Sequence, residues 1–289
     1  MITITEQAPA KINLTLEVLG RRADGYHELV SLIAFAREVF DVIELLPAPT
    51  RTLTVQGPCA GSIVGDNILM RAMALLEQAH LQVGAVSLEK HLPIASGIGG
   101  GSADAGALLR AVRSACSPDS GRWHEIAASL GADVPICLAN APAWVRGAGA
   151  EVEPVVAFPT LHAVLANPLV AVPPDKTAKV FRALGLATGE RAAEGYVRQE
   201  IPKLSSAGDV IACVAAKDNG LTEPARRLVP AIADVLADLS NLDGCRVARM
   251  SGAGPTCFGL FEDATAAHAA AVRLQAVRPG WWVRASRLA

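Results

Sequence analysis

What the chain lacks narrows its function first. None of its six cysteines, at positions 59, 116, 137, 213, 245 and 257, stands in a C-x-x-C pair, and no metal-ligand spacing joins them to the six histidines. No dedicated protein metal site is therefore expected, and the thiols read as reduced and partly buried in a cytoplasmic protein. No basic stripe occurs and the formal net charge is -2, so nucleic acid is not an expected partner. The most apolar window, residues 155–174, is interrupted by Pro159, His162, Asn167 and Pro168, too often to span a bilayer. No basic segment followed by an apolar run opens the sequence, so no secretory signal is expected. Fixed-period repeats and low-complexity tracts are also missing. What is left is a chain of 289 residues with 51% hydrophobic content. It can bury a large core, as one large domain or two smaller ones.

One stretch stands out against that background: Pro93-Ile94-Ala95-Ser96-Gly97-Ile98-Gly99-Gly100-Gly101-Ser102-Ala103-Asp104-Ala105. Before it, Val86, Leu88 and Leu92 fall at even spacing, as on a strand. After it, Ala105, Leu108, Leu109 and Val112 repeat at i, i+3, i+4 and i+7, one face of a helix. Strand, glycine loop and helix start form a seat for phosphate. Glycines let backbone approach a ligand, and the first N–H groups of a helix lack intrahelical partners. The loop has no lysine where a Walker A motif needs one, and Asp104 stands where a dinucleotide fingerprint needs its last glycine. The alternative is a tight turn between two packed elements.

Elsewhere the patterning alternates between strands and helices. Residues 2–19, 29–46 and 50–57 read as strands. Asp66-Asn67 precedes a helical face at Ile68, Leu69, Ala72 and Leu75-Leu76 and reads as its cap. Residues 123–130 form a short helix, and Asp133, before Pro135, reads locally as the cap of a further helical turn. Residues 144–151 hold a second glycine-containing turn. A boundary near Pro154 to Pro159 divides the chain into domains 1–154 and 155–289. Beyond it come a strand at 161–166 and a helix at 176–184. A polar stretch at 186–208 has no clear assignment. A helix at 230–239, strands at 246–250 and 256–261, a helix at 264–276 and a strand at 281–285 follow. This βαββαβ-like order suits a ferredoxin-like sandwich.

Four polar stations recur along this order: Lys11-Ile12-Asn13, the glycine loop, Gly131-Ala132-Asp133-Val134-Pro135, and Ser251-Gly252-Ala253-Gly254. Taken alone, Lys11 beside Asn13 reads as a solvated pair. In this order and wording the stations resemble the GHMP kinases, the superfamily of galactokinase, homoserine, mevalonate and phosphomevalonate kinases. Pro9-Ala-Lys-Ile-Asn-Leu, Arg22-Ala-Asp-Gly-Tyr-His, Asp66-Asn67, Leu130-Gly-Ala-Asp-Val-Pro and Arg249-Met-Ser-Gly-Ala-Gly sharpen the resemblance. They point to the members that phosphorylate the 2-hydroxyl of the methylerythritol unit in a cytidine diphosphate conjugate, a step of non-mevalonate isoprenoid synthesis. The resemblance spans nearly the whole chain.

It implies a two-domain α+β fold, with a ribosomal-protein-S5-domain-2-like ATP domain first and a ferredoxin-like domain second. It implies ATP and Mg²⁺ as cofactors. Lys11 and Asp133 are the implied catalytic pair, with Asp133 as the base. Asn67, Pro93, Ser96, Gly97, Ile98, Gly99, Gly100, Gly101 and Ser102 are implied to hold the nucleotide. Asn13, Tyr26, His27, Asp133 and Phe181 are implied to hold the substrate. Phe181 also fits a helix core position, given the spacing of Val180 and Leu184. The expected partner is a small molecule, with neither membrane nor nucleic acid, and the protein is expected as a monomer or homodimer. Three positions depart from the family pattern: Ala150 after Gly149, Ala253 in the Ser251–Gly254 turn, and Gly220 after Asn219. The alternatives are another small-alcohol kinase of the superfamily, which Tyr26-His27 argues against, and a non-catalytic sugar- or nucleotide-binding regulator. Retention of Lys11 and Asp133 argues against the regulator.

Overall fold

The computed structural model describes residues 3–62, 67–116, 122–149, 151–191 and 202–289. Asp66 and Ala150 lie outside these, as does much of the polar stretch that sequence left unassigned. Two compact units are present, each gathered from several segments. The first takes Met1–Lys11, Val39–Ile94 and Gly99–Ala141, and the second takes Ile12–Glu38, Ala95–Ile98 and Pro142–Ala289.

The chain starts with β1 (Ile4–Asn13), β2 (Glu17–Arg21) and β3 (His27–Leu46). Sequence suggests several strands over 29–46; the structure has a single one of 20 residues. In the first unit the Val42–Leu46 end of β3 pairs antiparallel with β5 (Ala85–Glu89), and β5 pairs in parallel with β4 (Thr52–Gln56). β4 lies at the edge and alternates exposed with half-buried residues, as a strand with one wet face does. Among the described residues four α-helices complete this unit: α1 (Ile68–Gln78), α2 (Gly100–Ala115), α3 (Trp123–Leu130) and α4 (Val134–Ala139). α2 buries an almost continuous run from Ala103 to Leu109. Its small residues allow close packing, closest at Gly106, where a Cβ would stand 2.7 Å from the Cys137 carbonyl carbon. No Cβ fits there, so α4 crosses α2 at near backbone contact.

In the second unit β6 (Ala143–Gly147) pairs with the Leu29–Ile33 stretch of β3 and makes a hairpin with β7 (Glu151–Pro154). Then come β8 (Leu161–Asn167), α5 (Lys176–Arg182), α6 (Ala207–Ala216), α7 (Thr222–Leu228), α8 (Ala231–Ser240), β9 (Val247–Met250), β10 (Cys257–Phe261), α9 (Ala264–Val277) and β11 (Trp282–Leu288). The strands lie in the order β11-β8-β10-β9, all antiparallel. With helices between β8 and β9 and between β10 and β11, this is the ferredoxin-like arrangement expected from the sequence. The inner strands β8 and β10 are almost wholly buried, which is why β10 reads as an apolar run and β8 as one interrupted only at His162 before Asn167. Their core is shared with Ile232, Val235 and Leu239 of α8 and Ala267, Ala270 and Leu274 of α9. Among the described residues no helix is long and apolar enough to cross a membrane.

Candidate active site

Lys11 and Asp133, 122 positions apart in sequence, are the two members of one ion pair, with Nζ and Oδ2 at 2.9 Å. The pair is asymmetric: the lysine side chain is 5% exposed and the aspartate 47%. Lys11 sits near the end of β1, where the strand is buried on both sides. Asp133 stands at the head of α4, and its carboxylate makes no capping bond to that helix. The local reading as a cap therefore fails, and the carboxylate is left to Lys11 and solvent.

Both partners are braced from behind. Arg110 of α2 donates to the Cys137 carbonyl of α4 at 2.6 Å, to Glu6 at 3.0 Å and to the Gln7 carbonyl of β1 at 2.5 Å. One guanidinium thus ties the start of β1 to α4. Cys137 lies close by, but burial above all, with the Asp133 charge second, pushes its thiol up to about 12. It is inert as a nucleophile.

The glycine loop divides between the units. In the second unit, Ala95–Ile98 is stitched to the turn after β9. The Ser96 carbonyl accepts from the Thr256 N–H at 3.0 Å, and the Gly97 carbonyl accepts from the Ser251 hydroxyl at 3.1 Å. Gly97 has φ +82°, and a Cβ there would stand 2.5 Å from the Ser251 carbonyl oxygen. In the first unit, Gly99 is the left-handed N-cap of α2, with no side chain capping the helix and no acidic residue in its first turn. That leaves the positive helix end for an outside anion. The room that two of these glycines make is filled by protein. A Cβ at Gly99 would lie 3.1 Å from Lys11 Cε, and one at Gly100 would lie 3.2 Å from Lys90 Nζ.

Lys90 belongs to a buried cluster that sequence reasoning missed. Its Nζ bonds Asp41 of β3 at 2.5 Å and Asp104 of α2 at 2.6 Å. Asp41 also accepts from the His91 and Leu92 N–H groups at 2.5 and 2.8 Å. The cluster therefore holds both the strand entering the loop and the helix leaving it. One cation serves two buried carboxylates. Burial first, and Asp41 beside it, push the Asp104 carboxyl up to about 8, although Lys90 pulls the other way. Asp104 Oδ1 is buried without a hydrogen-bond partner among the described residues. A charged residue inside the apolar run around Ala103 and Ala105 is the one local hint of this arrangement.

Asn67 accepts from the Leu69 N–H at 2.9 Å and so caps α1. Asn13 bonds in the second unit: its N–H donates to the Ser251 hydroxyl at 3.1 Å and its Nδ2 to the Ser31 hydroxyl at 2.8 Å. Its Oδ1 is buried with no partner among the described residues. His27 and Phe181 come together, ring centroids 4.7 Å apart and tilted by 31°. Phe181 also packs on the core, as its helical spacing allows. Burial first, then the Arg21 charge, lower the His27 pKa, so its ring is neutral at pH 7. Tyr26 is 63% exposed. Asn219 donates to the Met250 and Gly252 carbonyls at 2.8 Å each, so it shapes the Ser251–Gly254 turn. Gly220 beside it packs on Val18. Ala253 is buried, and the Ser251 hydroxyl carries the turn's bonds to Asn13 and Gly97.

The family model for the GHMP kinases N terminal domain matches residues 67–141, and that for the GHMP kinases C terminal matches residues 204–279. A 4-diphosphocytidyl-2-C-methyl-D-erythritol kinase of Methylorubrum extorquens is 46% identical, with 100% of each chain covered. One of Methylobacterium radiotolerans is 45% identical, with 98% of each chain covered. A crystal structure of 4-(cytidine 5'-diphospho)-2C-methyl-D-erythritol kinase superposes with a TM-score of 0.76 at 33% identity, covering 99% of both chains. With matches of this length in both halves and at full length, the chain belongs to the GHMP kinases and, within them, to the 4-diphosphocytidyl-2-C-methyl-D-erythritol kinase family.

Proposed function

We propose that the protein transfers the γ-phosphoryl group of ATP to the 2-hydroxyl of 4-diphosphocytidyl-2-C-methyl-D-erythritol, giving the 2-phosphate and ADP in the methylerythritol phosphate route to isoprenoid precursors. The observation that carries this reading is the Lys11–Asp133 pair, a buried ammonium holding a half-exposed carboxylate that caps nothing. Asp133 accepts the proton of the attacking hydroxyl. Lys11 holds that carboxylate in place at 2.9 Å and offsets negative charge as it grows in the transition state. The uncapped start of α2, with Gly97 to Ser102, receives the ATP phosphates, and alignment of donor and acceptor supplies much of the rate. Among the described residues no three histidine, cysteine or carboxylate side chains group as metal ligands. Mg²⁺ would arrive with ATP as part of the substrate and supply charge neutralisation on its phosphates.

Asn13 Oδ1, buried and unpartnered, accepts from a substrate hydroxyl. Tyr26 and Phe181 flank the cytosine, and His27, braced on Phe181, meets its polar edge. Asn67 borders the nucleotide from the head of α1. The division at 154/155 separates a nucleotide-binding first part from a second part; the two family models fall on either side of it. The enzyme works in the cytoplasm on small molecules, as a monomer or homodimer. Incubation with MgATP and a panel of alcohols tests the reading. ADP and a phosphorylated product are expected with the cytidine diphosphate conjugate, and turnover of a different alcohol in preference to it would overturn the substrate assignment.

A further inference from the structure

Two lysines are buried near the glycine loop, and their charges are handled in opposite ways. Lys90 has two carboxylates. Lys176, the first residue of α5, is 1% exposed and among the largest fully buried side chains of the protein. Its Nζ donates to the Ala95 carbonyl at 2.9 Å and to the Gly254 carbonyl. No carboxylate among the described residues pairs with it. Asp175 beside it pairs with Lys179 at 2.9 Å, and on α7 Glu223 pairs with Arg226 at 2.7 Å. Burial alone draws the Lys176 amine down to about 8.

Burying an ammonium with only carbonyl dipoles around it is costly. An apolar side chain of similar length would fill the same space without that cost. The charge therefore points to a counterpart outside the protein. The loop it touches suggests which kind. The carbonyls of Ala95, Ser96 and Gly97 are all tied inward, to Lys176 Nζ, the Thr256 N–H and the Ser251 hydroxyl. In a trans peptide the N–H opposes the C=O, so the amides of Gly97 and Ile98 are directed away from that turn. Successive amides turned one way favour an anion.

We propose that Lys176 is a charge-matching residue for a polyphosphate bound over the Ala95–Ile98 loop, holding the loop's first carbonyl inward and supplying the positive charge that the phosphates neutralise. This rests on the kinase reading above. The shared chemistry is a nucleotide polyphosphate, which either ATP or the cytidine diphosphate conjugate brings. Both are tested by calorimetry on the full chain as wild type, Lys176→Gln, Lys176→Met and Lys176→Arg, with ATP, adenosine, the conjugate and cytidine as ligands and melting curves alongside. A folded neutral variant is expected to lose about tenfold or more in affinity for at least one phosphate ligand, with the matching nucleoside within about twofold of wild type. The arginine variant is expected to recover most of that loss. Both phosphate ligands bound within about twofold by a neutral variant would overturn the proposal. So would equal weakening of a nucleoside and its polyphosphate, or failure of both neutral variants to fold while the arginine variant folds, since each makes the lysine purely structural. A wild-type protein that binds neither ATP nor the conjugate would instead remove the kinase reading.

Discussion

Gly97→Ala is the sharpest test of how the phosphate loop is held. The added Cβ would lie 2.5 Å from the Ser251 carbonyl oxygen and 2.7 Å from the Gly254 nitrogen and oxygen, all backbone atoms that cannot swing aside. The loop must lift from the turn, and lifting breaks the Gly97–Ser251 and Ser96–Thr256 bonds at 3.1 and 3.0 Å. Two such bonds are worth about 2 kcal/mol together. Holding alanine at φ +82° adds roughly 1–2 kcal/mol. The sum, about 3–4 kcal/mol, corresponds to a melting temperature lower by roughly 6–16 °C. Gly101→Ala is the control. Its Cβ would meet Ile68 Cγ2 at 3.6 Å, an ordinary contact inside α2. Alanine there is expected to leave the melt unchanged or to raise it, since a helical glycine costs roughly 0.5–1 kcal/mol against alanine. Melting curves of both variants, with the Michaelis constant for ATP of Gly97→Ala, decide; the Gly101→Ala control is read on its melt alone. A Gly97→Ala protein that melts within about 2 °C of wild type and keeps its ATP constant would refute the close-approach argument, as would a Gly101→Ala protein damaged as badly.

Asp133→Asn is expected to fold normally and to lose about 10²- to 10⁴-fold in turnover number; near-normal turnover in a folded variant would reject Asp133 as the base. Tyr26→Ala is expected to weaken the cytidine conjugate by about 1–3 kcal/mol and leave ATP untouched, whereas His27→Ala narrows the preference for cytidine over uridine conjugates; equal loss for ATP and conjugate in the Tyr26 variant would count against the clamp. Asp104 binds its proton more tightly in the folded protein, where its pKa rises from 3.8 to about 8. Its contribution to stability is therefore complete below the unfolded value and is lost as the pH climbs through the folded one. Asp104→Asn is expected to flatten the fall in melting temperature over that window, and an unchanged slope would reject the assignment. Lys176, drawn down from 10.5 to about 8, titrates in the folded protein at the top of that window, and its own linkage raises stability as the pH climbs from there towards the unfolded value.

Much of the second unit was legible because its strands are buried on both faces. β10 reads as a short apolar run and β8 as one interrupted only at His162 before Asn167, and α8 and α9 carry helical stripes between turn residues. β3 was read as several strands because 20 residues far exceed an ordinary strand. α6 and α7 went unassigned; α6 buries only Val210 and Val214 and leaves a weak stripe. At the site, the glycine loop was visible, yet the reason for its glycines was not. Gly97, Gly99 and Gly100 are crowded by Ser251, Lys11 and Lys90, residues remote in sequence. Lys11 and Asp133 were joined by family resemblance, since nothing in their spacing sets them 2.9 Å apart. Asp41 sits on β3, Lys90 in the loop just after β5 and Asp104 on α2, and no local pattern connects them. Asn67 shows the converse: its capping role was legible locally and is what the structure displays.

The pairing of β3 with β11 has a consequence for how the protein is made. Ala36 pairs with Leu288, and Phe35 exchanges backbone bonds with Ala289 at 3.2 and 3.1 Å. A ribosome adding 5–20 residues per second needs roughly 12–50 seconds to extend the chain from one partner to the other. Throughout that interval this stretch of β3 lacks its β11 neighbour and presents unpaired backbone groups that another nascent chain can pair with. Slow codons placed after β3 would lengthen that exposure, and a chaperone that covers strand edges would be needed early in synthesis.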